Sequence, residues 1–151
     1  DISIGVEAAL PPTFVPDEAT RIAILREFDG VRDAEEIASL ISMVRDRFGP
    51  PPPEVENLAR MFYLKHKLGE IGLESLHRVG DRLVCTVRSA RNLQRAISPL
   101  GIDLRTITAR QTHWILPDPK ATPAEVLDHL FETASACLKP RAQRKSSPSS
   151  K

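Results

Sequence analysis

Residues 47–58 read RFGPPPPEVENL, and the four consecutive prolines at their centre decide how the rest of the chain is parsed. As a polyproline ligand, the run would be an extended rod offered to a proline-reading partner. As punctuation, it separates two helices. The flanks favour punctuation. Upstream, Ile37, Leu40, Ile41, Val44 and Phe48 recur at the period of one helical face. Asp33 followed by Glu36 forms a capping-box pattern at the start of that stretch. Gly49 stands where a left-handed C-terminal cap belongs. Pro50 cannot continue a helix, and each proline drives the residue before it into an extended conformation. Pro53 suits the first turn of a following helix, where a missing N–H does no harm. The spacing predicts a short, stiff elbow between two helices. The second helix carries Val55, Leu58, Phe62, Leu68 and Ile71 and ends at Gly72.

Working outward, Ile2, Ile4 and Val6 alternate with polar or small residues, a half-buried strand closed by Pro11 and Pro12. Asp17 is the N-cap of a helix that turns Ile22, Leu25 and Phe28 inward and closes at Gly30. After residue 72 the period changes to two. Gly80-Asp81 predicts a hairpin, with Leu83, Cys85 and Val87 on one face of its second strand. Ser89 opens a short helix holding Leu93, Ile97 and Leu100, and Gly101 ends it. Residues 102–116 read as one strand bent near Arg110-Gln111. Thr122, Pro123 and Glu125 start the last helix, whose stripe is Leu127, Leu130, Phe131, Ala134 and Leu138. The expected fold class is α+β: helices packed with a small, mainly antiparallel sheet in a single domain, residues 1–139. Residues 140–151 are expected to be a disordered basic tail, because KPRAQRKSSPSSK has no large apolar side chain to offset ordering entropy.

The chain has 151 residues, 41% hydrophobic and 27% charged, which suits one globular domain with a real core. A net charge of +1 gives no global attraction to nucleic acid or membrane. Cys85 and Cys137 form no disulfide framework, so a reducing, cytoplasmic setting is expected. No apolar run approaches the roughly 18 residues of a membrane span. The chain opens DISIGVEAALP, without an initiator methionine and already with strand-like alternation, as expected of a piece cut from a longer protein or of a processed start.

Catalytic chemistry finds no foothold. There is no phosphate-binding glycine loop, and His66, His77, His113 and His129 lack metal-ligand spacing. Cys85 and Cys137 read as small core residues. Glu35 and Glu36 complement a helix dipole. The expectation is a non-enzyme with no cofactor and no metal. On the second predicted helix, Glu35, Ser39, Ser42 and Asp46 fall opposite the apolar stripe, a polar and net acidic face. From the residues alone it is either a solvated helix face or a docking surface for basic groups.

The stretch RDRFGPPPPEVENL resembles the C-terminal domain of the bacterial transcription-repair coupling factor family. The matching positions are Asp46, Arg47, Phe48, Gly49, Pro50, Pro52, Asn57 and Leu58. VPDEATRIAILREF, upstream, is similar to a second family segment at Val15, Pro16, Asp17, Arg21, Ile22 and Ile24. The resemblance spans about the first 90 residues. It departs from the family at Leu25, commonly tyrosine, at Glu27, commonly basic, and at Met43, commonly acidic. It implies a non-catalytic, autoinhibitory domain of a DNA translocase. Such a domain packs on the protein's own UvrB-like N-terminal module, masks recruitment of UvrA, and restrains the motor until RNA polymerase is engaged. The docking residues expected on this reading are Glu35, Ser39, Ser42 and Asp46, on the outward face of the second helix, with Met43 beside them. Two other functions stay open: a nucleic-acid accessory domain acting through the basic tail, with weak DNA contact at most, and a docking platform for another repair or transcription protein.

Overall fold

The computed structural model describes residues 1–137. Leu138 and the predicted tail at 140–151 lie outside the described residues. Helix α1, Glu18–Asp29, starts where the Asp17 carboxylate accepts the Thr20 N–H at 2.9 Å and the Thr20 hydroxyl at 2.6 Å. Those bonds hold the Asp17 carboxyl below its usual range. Its buried residues are Ile24 and Phe28, while Ile22 is 43% exposed, against the expected face. Ile22 lies about 160° round the helix from Ile24, and tertiary contact selects the 24/28 stripe.

Helix α2, Ala34–Phe48, buries Ile37, Ile41 and Val44 and leaves Leu40 and Phe48 half-buried. Asp33 accepts the Glu36 N–H at 2.9 Å. Glu36 reaches back at 2.6 Å to the N–H of Arg32, one residue earlier than a reciprocal box requires. Gly49 has φ 91° and ψ −176°. This corrects the expected left-handed cap: the region is extended, positive in φ, and essentially open to glycine alone. Pro52 is extended and Pro53 opens helix α3, Pro53–Glu70, so the proline run is an elbow. Helix α3 buries Val55, Ala59, Tyr63, Leu64 and Leu68, while Leu58, Phe62 and Ile71 are only half-buried. It touches α1, α2, the last helix and the sheet, so its buried arc is wider than one stripe.

The sheet has five strands: β1 (Ile2–Ser3), β2 (Leu73–Val79), β3 (Arg82–Val87), β4 (Asp103–Thr108) and β5 (Gln111–Ile115), in the order β1-β2-β3-β5-β4. β1 pairs with β2 in parallel and the other pairs are antiparallel. β1 is shorter than its alternation suggests, because Gly5 turns the backbone at φ 84°. The Gly80-Asp81 hairpin forms, with Val79 opposite Arg82. The stretch expected as one bent strand is two strands, β4 and β5, folded over Ala109-Arg110. No glycine, asparagine or aspartate marks that turn. It is held by Arg110 N–H donating to the Thr108 hydroxyl at 3.2 Å, next to a register shift between Thr106 and Thr108.

Helix α4, Ala90–Ile97, crosses from β3 to β4, starting where Ser89 Oγ accepts the Asn92 N–H at 3.2 Å. A 3-10 turn, Ser98–Leu100, follows, and Leu100 is exposed rather than inward. Helix α5, Pro123–Cys137, opens with a reciprocal capping box: Glu125 N–H to Thr122 Oγ1 at 3.2 Å, and Thr122 N–H to Glu125 Oε1 at 2.8 Å. It buries Val126, Leu127, Leu130, Thr133 and Ala134. Phe131 is half-buried against Tyr63, ring centroids 5.2 Å apart.

One face of the sheet is the core face. Leu76 lies opposite Cys85, Cys85 opposite Thr112, and Leu83 and Leu104 both opposite Trp114. Trp114 is fully buried, and its indole N–H donates to His129 Nε2 at 3.0 Å. That bond satisfies a donor that would otherwise be costly inside an apolar core.

Candidate functional site

The candidate site is the outer face of α2. Glu35, Ser39, Ser42 and Asp46 are all exposed, and Met43 is half-buried at their margin. Spacings of four, three and four residues stack the four in one row, roughly 16 Å from end to end at the helical rise. Ile37, Ile41 and Val44 anchor the opposite face in the core. Neither Glu35 nor Asp46 holds an ion pair among the described residues. The row therefore presents two unpaired carboxylates on a rigid support, with two hydroxyls between them. The charge and spacing of such a row suit cationic side chains.

The elbow holds this helix in place. Phe48 packs on Phe14, ring centroids 5.9 Å apart, and the Arg47 guanidinium lies 5.0 Å over the Phe48 ring. Beyond Gly49, Pro50 and Pro52, the Asn57 side chain donates to the Glu7 carbonyl at 3.0 Å. Ala9 N–H donates to the Glu54 carbonyl at 3.0 Å. These two bonds tie the N-terminal segment to the first turn of α3. The Glu7 and Ala9 contacts join residues about 50 apart, and no local pattern announces them.

Most of the groups that could carry chemistry are occupied structurally, while His77 is exposed on β2. His66 bonds to the Asp29 carbonyl at 2.8 Å and its carboxylate at 3.0 Å. His113 meets Arg82 at 3.3 Å, and His129 accepts from Trp114. Burial pushes the Cys85 thiol up to about 12, so it stays protonated near neutral pH. Cys137 is half-buried near the end of α5. Among the described residues no group of three or more His, Cys, Asp or Glu side chains could hold a metal ion. No helix among them is long and apolar enough to cross a membrane.

Three comparisons bear on this geometry. The family model described as the TRCF domain matches residues 4–97. A transcription-repair-coupling factor of Myxococcus xanthus is 28% identical over 87 residues, covering 58% of this chain. The chain spans 7% of that relative's length. A crystal structure of the C-terminal domain of transcription-repair coupling factor superposes with a TM-score of 0.76 at 16% identity, covering 92% of this chain and 91% of the other. At that identity the likeness speaks to the α+β fold.

Proposed function

The chain belongs to the TRCF domain family, and on that premise we propose that it is the non-catalytic, autoinhibitory domain of a transcription-repair coupling translocase. It docks on the UvrB-like module of the same protein through the outer face of α2. In the docked state it masks the surface that recruits UvrA and restrains the motor; engagement of RNA polymerase releases it. The work is DNA repair coupled to transcription, carried out in the bacterial cytoplasm. The observation that carries this reading is the row of Glu35, Ser39, Ser42 and Asp46, exposed and unpaired on a helix whose other face is fixed in the core.

A latch of this kind must release, so its contact resembles a modest inter-domain interface rather than a core. Shifting a two-state balance from mostly closed to mostly open takes about 5.5 kcal/mol of differential interaction. Reversing one well-paired charge supplies a few kcal/mol of that. The test is Asp46→Arg and a deletion of residues 1–139 in the full-length protein, with ATP hydrolysis rate and UvrA affinity measured for each. Both quantities rise in the deletion and, to a lesser degree, in Asp46→Arg. A deletion that leaves both unchanged rules out autoinhibition. A deletion that activates while Asp46→Arg does not would move the latch to another face. Asp46 is exposed and unpaired, so the substitution changes the domain's own stability by no more than about 0.5 kcal/mol.

A further inference from the structure

We propose that the groove between α4 and the β4 edge takes an extended, acidic polypeptide segment of a partner protein, which adds to β4 as a further strand. The reading is independent of the α2 face and shares no residue with it. Charge is the first observation. Residues 88–110 contain five arginines, Arg88, Arg91, Arg95, Arg105 and Arg110, against one acid, Asp103. This stretch alone is +4, while the whole chain is +1.

Two of the five are uncommitted. Arg105 pairs with Asp103 at 3.3 Å, Arg110 with Glu74 at 3.5 Å, and Arg88 donates to the Gly69 carbonyl at 3.2 Å. Arg91 and Arg95 are exposed and make no ion pair or hydrogen bond among the described residues. One helical turn apart on α4, they line a groove of about 690 Å³ together with Ser89, Gln94, Thr106 and Ala109. Two free guanidiniums in a row match carboxylates spaced along a chain, each able to take one in a forked pair.

The strand edge is the second observation. β4 is the last strand of the sheet and pairs only with β5. All of its residues except Leu104 are exposed. Every second residue of an antiparallel strand turns its N–H and C=O away from its partner, and an open edge of this kind templates another strand. The register shift at Ile107 closes the edge at one end and confines addition to Asp103–Thr106. The α4 start is stitched to the β4–β5 turn by Ala90 N–H donating to the Ala109 carbonyl at 2.8 Å. Arginines and edge are thus held together as one surface.

Nucleic acid fits this surface less well. No aromatic side chain lines the groove, so bases have nothing to stack on, and a phosphate backbone makes no use of a free strand edge. The chain's own residues 139–151 do not fit either, since they carry five basic residues and no acid.

The experiment uses the whole chain and three labelled probes: a capped heptapeptide alternating glutamate with valine, its lysine–valine counterpart, and a short DNA duplex. Affinity is read by fluorescence anisotropy, and β4 amide exchange by NMR. The glutamate peptide binds and the lysine peptide does not, and exchange slows at amides of Asp103–Thr106. The double substitution Arg91→Glu/Arg95→Glu weakens binding by about tenfold or more, with the far-UV spectrum unchanged. The milder Arg91→Gln/Arg95→Gln pair weakens it less, and Asp46→Arg leaves it as it is. The proposal is overturned if the glutamate peptide fails to bind or binds the charge-reversed protein equally well. It is overturned too if β4 exchange does not slow, or if the duplex binds the groove more tightly than the peptide.

Discussion

Helix α2 and strand β5 are both held firmly, by opposite means. The ends of α2 are set by groups within four residues: Asp33 and Glu36 at the start, Gly49 and the prolines at the finish. β5 has no such local instruction. Its place is set by Leu83 across one strand, Leu104 across the other, and His129 on α5, all converging on Trp114. Where many small local signals define an element, no single side chain decides it. Where long-range pairs define it, one residue can.

The largest expected effect follows from that difference. Trp114→Ala removes a fully buried indole and leaves His129 without its donor. The loss should be about 3–5 kcal/mol in urea unfolding. A smaller loss than any single change around α2 would break the comparison.

On the helical side the sharpest site is Gly49. A Cβ there meets nothing within 4 Å, so any penalty is backbone strain alone. Gly49→Val should cost about 1–3 kcal/mol. The region matters as much as the sign of φ. Gly101 is left-handed, at φ 79° and ψ 18°, where asparagine is tolerated. Gly101→Asn should therefore be milder than Gly101→Ala. Gly49→Asn should be as damaging as Gly49→Ala, because ψ −176° offers asparagine no such refuge. Thermal unfolding of the five variants decides it.

A smaller effect is expected at α5. Thr122→Ala removes the side chain that accepts the Glu125 N–H and should cost about 1 kcal/mol, read by the same urea titration.

Legibility in the sequence followed the same divide. Asp17, Asp33, Pro53, Ser89 and the Thr122–Glu125 box all act where the pattern places them. The Gly80-Asp81 hairpin does as well. The β4–β5 hairpin was hidden because its turn, Ala109-Arg110, contains none of the residues that usually mark one. In α1 the apolar pattern permits both an Ile22 face and an Ile24 face, and contact with α2 and α3 chooses. Tyr63, Leu64 and Ala59 were missed in α3 because a helix packed on several sides has no single stripe. The exposed row on α2 could be read from spacing alone, as the complement of its apolar face. The basic groove could not: Arg91, Arg95 and Thr106 meet only after the chain has crossed from β3 to β4.

The smallest predicted effect concerns pH and the Trp114–His129 bond. Burial lowers the pKa of His129 below its ordinary 6.5, against an opposing pull from Glu132. The folded protein therefore keeps this imidazole neutral, with Nε2 free to accept the indole N–H, at pH values where the unfolded chain protonates it. Above about pH 6.5 both states are neutral and the full contribution is present. As pH falls below that, the unfolded state gains a proton that the folded state resists, and stability drops. The drop ends once pH passes the lowered folded value, where both states are charged. Glutamine at this position can accept from an indole N–H and does not titrate. His129→Gln should thus flatten the fall in unfolding free energy between about pH 7.5 and 5. The other three histidines are present in both proteins, so they cancel in the difference. Urea titrations of the two proteins across that range measure it directly. Parallel curves would mean that His129 titrates alike in the folded and unfolded chains, and the anchor of β5 would then be packing alone.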